Sequence, residues 1–226
     1  MELNSDFTKR VVVHGSELEW QPSPMVGVER RMLDRIGDEV ARATTIVRYA
    51  PQSKFSAHIH SGGEEFIVLE GVFQDEHGDY PVGSYIRNPP QSSHTPGSEL
   101  GCVIFVKLWQ FQESDRTEVK ANIKNIPGDA DPKRQGIIIK PLFQDEREEV
   151  RIEEWKAGIE VTIDAPGGAE LLVLEGSFTE GEDHLPSQSW LRLPVNSLVK
   201  AKAGDNGAKI WIKTGHLPFV NNLSSG

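Results

Sequence analysis

GGEEFIVLEGVF at residues 62–73 and GGAELLVLEGSF at residues 167–178 are identical at eight of twelve positions and lie 105 residues apart. The same spacing carries YIRNPPQSS (85–93) onto WLRLPVNSL (190–198), keeping Arg87/Arg192, Pro89/Pro194 and Ser92/Ser197. An ungapped register over that distance marks an internal repeat. Outside these blocks the spacing drifts by a few residues, with IFVK (104–107) meeting IWIK (210–213) and Gly27-Val28 meeting Gly136-Ile137, as changes in loop length produce. Two copies fill the 226-residue chain, and ESDRTEVK (113–120) is the expected junction, giving domains 1–113 and 114–226. The run from Pro127 to Gln135, rich in Gly, Pro, Asp and Lys, reads as an exposed turn inside the second copy.

Each copy consists of short Val-, Ile-, Phe- and Trp-rich runs between Gly, Pro, Asn and Asp: VVVH, TTIVRY, EFIVLEG, SYIRNP and CVIFVKLW in the first. These are strand signals. VERRMLDRIGDEVARA (28–43) has Gly37 in its middle and no sustained helical stripe, so it reads as strand and loop. The expected class is all-β, one sandwich or barrel per copy. The strands after the Gly-Gly turns are apolar on both faces, so Ile67, Leu69, Leu172 and Leu174 should be covered as well as Phe66 and Val68. Cover by the other copy or by a second chain, a homodimer, follows. Phe55, Ala57 and Ile59 carry the same expectation.

The chain has 24 Lys+Arg against 34 Asp+Glu, a net charge of −10, and no run of five basic residues. It therefore offers no footprint for nucleic acid or anionic lipid. One cysteine, Cys102, excludes an intrachain disulfide or a CxxC zinc site. Neither a signal-peptide core nor a membrane-length apolar run is read in the sequence, so the expected location is cytoplasmic.

The first copy contains FSAHIHSGGE (55–64) and, thirty residues after Glu64, His94 beyond a Pro-Pro turn. In a strand His58 and His60 point to one side, and the Ser61-Gly62-Gly63 turn can bring Glu64 beside them, with His94 closing the set from a neighbouring strand. Three imidazoles and a carboxylate suit Zn, Mn, Fe or Ni rather than Ca or Mg. At the repeat spacing His58, His60, Glu64 and His94 become Ile163, Ala165, Ala169 and Val199, all apolar. Joint replacement by apolar residues implies interior positions, where unpaired polar groups cost free energy and a metal makes them tolerable. Glu65 survives as Glu170, so its role is a structural hydrogen bond or ion pair, with Arg87 or Arg192 as partner. His14, His77, His184 and His216 stand alone in polar or loop contexts.

The spacing of His58, His60, Glu64 and Gly71 resembles the first cupin motif, and Gly83, Pro89, Gln91 and His94 resemble the second, with Gln91 where Gly is usual and Ser98 where many cupins carry Asn. The wording of residues 62–94 is similar to the ChrR-type cupin family, and the match spans roughly residues 27–110. The resemblance implies two tandem cupin barrels (double-stranded β-helix, jelly-roll), the first holding one divalent transition metal, zinc foremost with Fe, Mn or Ni as alternatives. ChrR proteins are anti-sigma factors in which a helical zinc-binding domain holds the sigma factor and the cupin-like domain responds to oxidative signals. No such helical domain is read in these residues, so sigma-factor capture by that route is not expected.

Two functions follow. One is a regulatory sensor of a reactive oxygen species or small ligand at the metal; the other is a metal-dependent dioxygenase acting on a small ketone or diketone. A third, a metal that only staples the barrel, would need a closed tetrahedral shell. No separate catalytic set stands out; Tyr49, Tyr85, Arg87 and Cys102 are the candidates near the site, and Phe66, Val68, Ile104 and Val106 are the expected apolar wall.

Overall fold

The computed structural model describes residues 1–38 and 40–223, with side chains described through residue 220 apart from residue 39. Among the described residues there are strands and two 3-10 turns, Gly15–Glu17 and Leu217–Leu223, and no α-helix. The tract at 28–43 forms the strands Val28–Gly37 and Ala41–Tyr49, as its lack of a helical stripe requires. Among the described residues no helix is long and apolar enough to cross a membrane.

The described residues divide into two compact units: Met1–Ser5 with Leu18–Asn125, and Asp6–Glu17 with residues 126–223. This differs from the expected division at 113/114. In the first unit the strand order is Glu2–Leu3, Val28–Gly37, Ala41–Tyr49, Cys102–Leu108, Glu64–Asp75, Ser84–Asn88 and Val119–Asn122. In the second, Val11–His14 takes the edge place beside Ser189–Leu193 that Val119–Asn122 takes beside Ser84–Asn88. Each unit is thus completed by the strand that precedes the other copy. Pairing such as that of His14 with Ser189, 175 residues away, leaves no pattern in a sequence.

Each unit closes around its own apolar core. The first contains Val28, Val47, Phe66, Val68, Phe73, Ile86, Cys102, Ile104 and Val106. The second contains Ile163, Ala165, Ala169 and Val199, the four positions aligned with the candidate ligands, packed with Leu171, Val173, Ile210 and Ile212. Its interior is not wholly apolar: Glu153 is fully buried and accepts from Arg151 Nε at 2.8 Å, Arg134 Nη2 at 2.9 Å and Trp155 Nε1 at 2.7 Å. The loop at 127–135, mostly exposed as expected, therefore also sends Arg134 inward.

The apolar second face of the long strands is covered: Ile67 and Leu172 are buried, and Leu69 and Leu174 are half-buried. Ala57 and Ile59 depart from the expectation and are exposed, while Phe55 turns inward against Tyr49. Among the described residues their strand, His58–Ile59, pairs with Ser93–His94 in a separate two-stranded sheet.

Gly71, the glycine of the first motif, has φ 68°, and a Cβ there would overlap the Gly101 carbonyl oxygen; Gly176 repeats this with φ 72° and the Gly207 carbonyl. A side chain at Gly71 meets both strain and backbone, so Gly71→Ala should lower unfolding free energy by about 2–3 kcal/mol. Gln91, where the second motif usually has Gly, also sits at positive φ, 73°. Gln91→Gly should then cost little or stabilise the protein. Urea unfolding of both variants checks the pair.

Candidate metal centre

His94 lies directly across from His58 on the paired strand, which sets two imidazoles side by side. His60 follows the strand end and is held by its backbone: its N–H donates to the Ser92 carbonyl at 2.9 Å, and its carbonyl accepts from Gln91 at 3.0 Å. The turn through Gly62-Gly63 then starts the Glu64–Asp75 strand, and Trp109 and Phe111 lie where side chains on these glycines would have to be.

One nitrogen from each of His58, His60 and His94 lies within 4.8 Å of the other two. His60 Nε2 and His94 Nε2 are 3.2 Å apart, and Glu64 Oε2 is 3.4 Å from the former and 3.8 Å from the latter. Donors bound to one ion at about 2.1 Å lie roughly 3.0–3.4 Å apart, so the buried pair has the separation a shared ion requires. Glu64 stands just outside the three-histidine group. His60, Glu64 and His94 are buried, but His58 is exposed, which corrects the expectation that all four positions are interior.

The other ring nitrogens face oxygen. His60 Nδ1 is 3.1 Å from Ser92 Oγ, which itself donates to the Pro89 carbonyl at 2.6 Å, so Ser92 accepts from His60 Nδ1–H and leaves Nε2 with its lone pair. His94 Nδ1 is 3.4 Å from Asp75 Oδ2, an approach without hydrogen-bond alignment. His58 Nδ1 is 3.4 Å from the Ser56 carbonyl. Such outer partners orient metal-binding imidazoles. Asn88, directly across from Glu64, donates Nδ2–H to Glu64 Oε2 at 3.0 Å. Sequence reading missed Asn88, although its counterpart is Leu193, an apolar replacement like those of the ligands.

Burial lowers His60 to about 4, with the neighbouring His58 a smaller cause, and burial also lowers His94. Both are neutral, the form that binds metal, at neutral pH.

A cavity of about 510 Å3 opens onto the cluster, lined by Val28, Arg30, Val47, Tyr49, Ile104 and Val106 among others. Ile104 and Val106 are on the wall as expected, whereas Phe66 and Val68 belong to the core and are not among the lining residues. Of the four candidate side chains near the site, only Tyr49 lines the cavity. Tyr85 donates to Glu65 at 2.5 Å, and Arg87 binds Asp115 at 2.6 Å. Cys102 lies in the core with its thiol pushed up to about 11 by burial. Glu65 lies across from both Arg87 and Lys107, and Glu170 across from Arg192 and Lys213, which fits the structural role expected of Glu65.

Residues 8–112 match the model of the ChrR cupin-like domain, and this part of the chain belongs to that family. No curated protein matches the chain. Among solved structures, a Nostoc punctiforme protein provisionally described as a dioxygenase is similar at 14% identity, covering 93% of this chain and 84% of that one, with a TM-score of 0.74. Escherichia coli YlbA is 13% identical over 92% of each chain, with a TM-score of 0.69. A cupin 2 conserved barrel domain protein from Leptotrichia buccalis is 12% identical over 91% of this chain and 96% of that one, with a TM-score of 0.60. At these identities the likeness is one of fold, and the fold is the cupin fold.

Asn88→Leu should weaken metal binding roughly 10–100-fold while the protein stays folded, as measured by metal titration and circular dichroism. In the metal-free protein the unfolded chain binds the His60 proton first, near pH 6.5, and the folded chain only near 4. Stability is therefore fully present above about 6.5 and falls as pH drops toward 4. Urea midpoints should show this decline in the wild type and a smaller one in His60→Leu.

Proposed function

We propose that this chain is a metal-dependent oxygenase of cupin type, in which His58, His60, Glu64 and His94 hold one divalent transition metal. The observation that carries this reading is the cavity that reaches the ligand cluster. A metal held by four protein ligands keeps one or two places of an octahedral shell for O2 or a chelating molecule. The protein's own groups do the rest: Asn88 and Ser92 hold Glu64 and His60 in place, and Val28, Val47, Ile104 and Val106 provide an apolar wall that limits water. The likeness to a protein described as a dioxygenase supports the same reading.

A second reading is favoured by the ChrR cupin-like match: a sensor in which the same centre answers an oxidant or small ligand without turnover. Elemental analysis of protein purified without a nickel column, with an O2-uptake screen on small ketones and diketones, separates the two. The oxygenase reading expects one iron, manganese or nickel per chain and substrate-dependent O2 uptake. Zinc without turnover contradicts it and supports the sensor.

A further inference from the structure

Arg30 lines the cavity beside the metal cluster. It lies on the Val28–Gly37 strand, two residues after the core residue Val28 and directly across from Val47, so its side chain shares the inner face. Its Nε is enclosed without a hydrogen-bond partner, and among the described residues its guanidinium has no hydrogen bond or ion pair. The neighbouring cations are committed elsewhere: Arg31 and Arg48 stack on Trp20, Arg48 also binds Glu29, and Arg35, the other guanidinium on the cavity wall, donates to the Asp38 carbonyl.

The second copy again provides a control. Aligning Gly27-Val28 with Gly136-Ile137 places Ile139 at the position of Arg30, and the strand irregularities at Met32/Asp34 and Pro141/Phe143 coincide under this alignment. Ile139 packs against the second core. The guanidinium is therefore absent from the same copy that lacks the metal ligands. An unpaired, partly buried guanidinium destabilises a fold unless a ligand completes it.

We propose that Arg30 recognises the anionic end of the ligand, and that the ligand is a small carboxylic acid with a second oxygen donor, its carboxylate on Arg30 and its other oxygen at the metal cluster. This rests on the metal-centre reading above. The planar fork of arginine fits a carboxylate in two parallel hydrogen bonds. Arg35 on the same wall is committed to the Asp38 carbonyl, so among the described residues one guanidinium is left for a ligand, and the apolar part of the wall from Val28, Val47, Ile104 and Val106 suits a monoanion with an apolar middle better than a phosphate.

The test uses the full chain, metal-loaded and metal-free, with 2-oxopropanoate, 4-oxopentanoate and 5-oxohexanoate, the neutral 4-oxopentanamide and inorganic phosphate, read by calorimetric titration and thermal unfolding. Loaded wild type should bind at least one acid about tenfold or more tightly than the amide. Arg30→Ile should lose that preference, keep its metal content and, metal-free, unfold at a higher temperature than wild type; Arg30→Lys should keep part of the preference. Equal affinities for acid and amide, no binding by any acid, tighter binding of phosphate, or a preference that survives in Arg30→Ile would overturn the proposal. A protein that takes up no metal but is stabilised by an acid and not by the amide upholds Arg30 while overturning the metal-centre reading.

Discussion

Two imidazole nitrogens 3.2 Å apart, with a carboxylate oxygen within 3.8 Å of both, sit at the end of an apolar core, and the first unit is arranged around that fact. Buried imidazoles with lone pairs facing one another gain nothing from each other and lose their water. Burial keeps them neutral, Ser92 fixes which nitrogen of His60 carries the proton, and Asn88 holds Glu64 toward the pair. The tight Gly62-Gly63 turn under Trp109 and Phe111 brings the carboxylate to them.

The two copies share a frame and differ in what it encloses. Both retain the glycine against a facing carbonyl, at Gly71 and Gly176, and both retain a buried Lys–Glu–Arg ladder, Lys107, Glu65 and Arg87 in one and Lys213, Glu170 and Arg192 in the other. Arg87 also pairs with Asp115 and Lys213 with Glu148, and removing one partner of a buried ion pair strands the other, so such charges resist piecemeal loss. Inside, the second copy has Ile163, Ala165, Ala169 and Val199 in an apolar core.

Much of this is legible in the sequence, because the repeat supplies its own comparison. Strand positions follow from apolar runs, and the four candidate ligands stand out by their joint replacement. What the repeat hides has physical causes. Ser92 is hidden because Ser197 retains it, and Arg30 because loop-length drift moves its partner to Ile139. The exposure of His58 depends on a short strand pairing outside the main sheet, and the exchange of edge strands on hydrogen bonds between distant segments.

Cobalt(II) substitution tests the central claim most directly, because its visible spectrum reports both stoichiometry and coordination number. Titration should saturate at one equivalent per chain with the weak absorption of a five- or six-coordinate ion that changes when a small chelating ligand is added. No saturable binding, or an intense tetrahedral spectrum indifferent to added ligand, would contradict an open centre formed by His58, His60, Glu64 and His94.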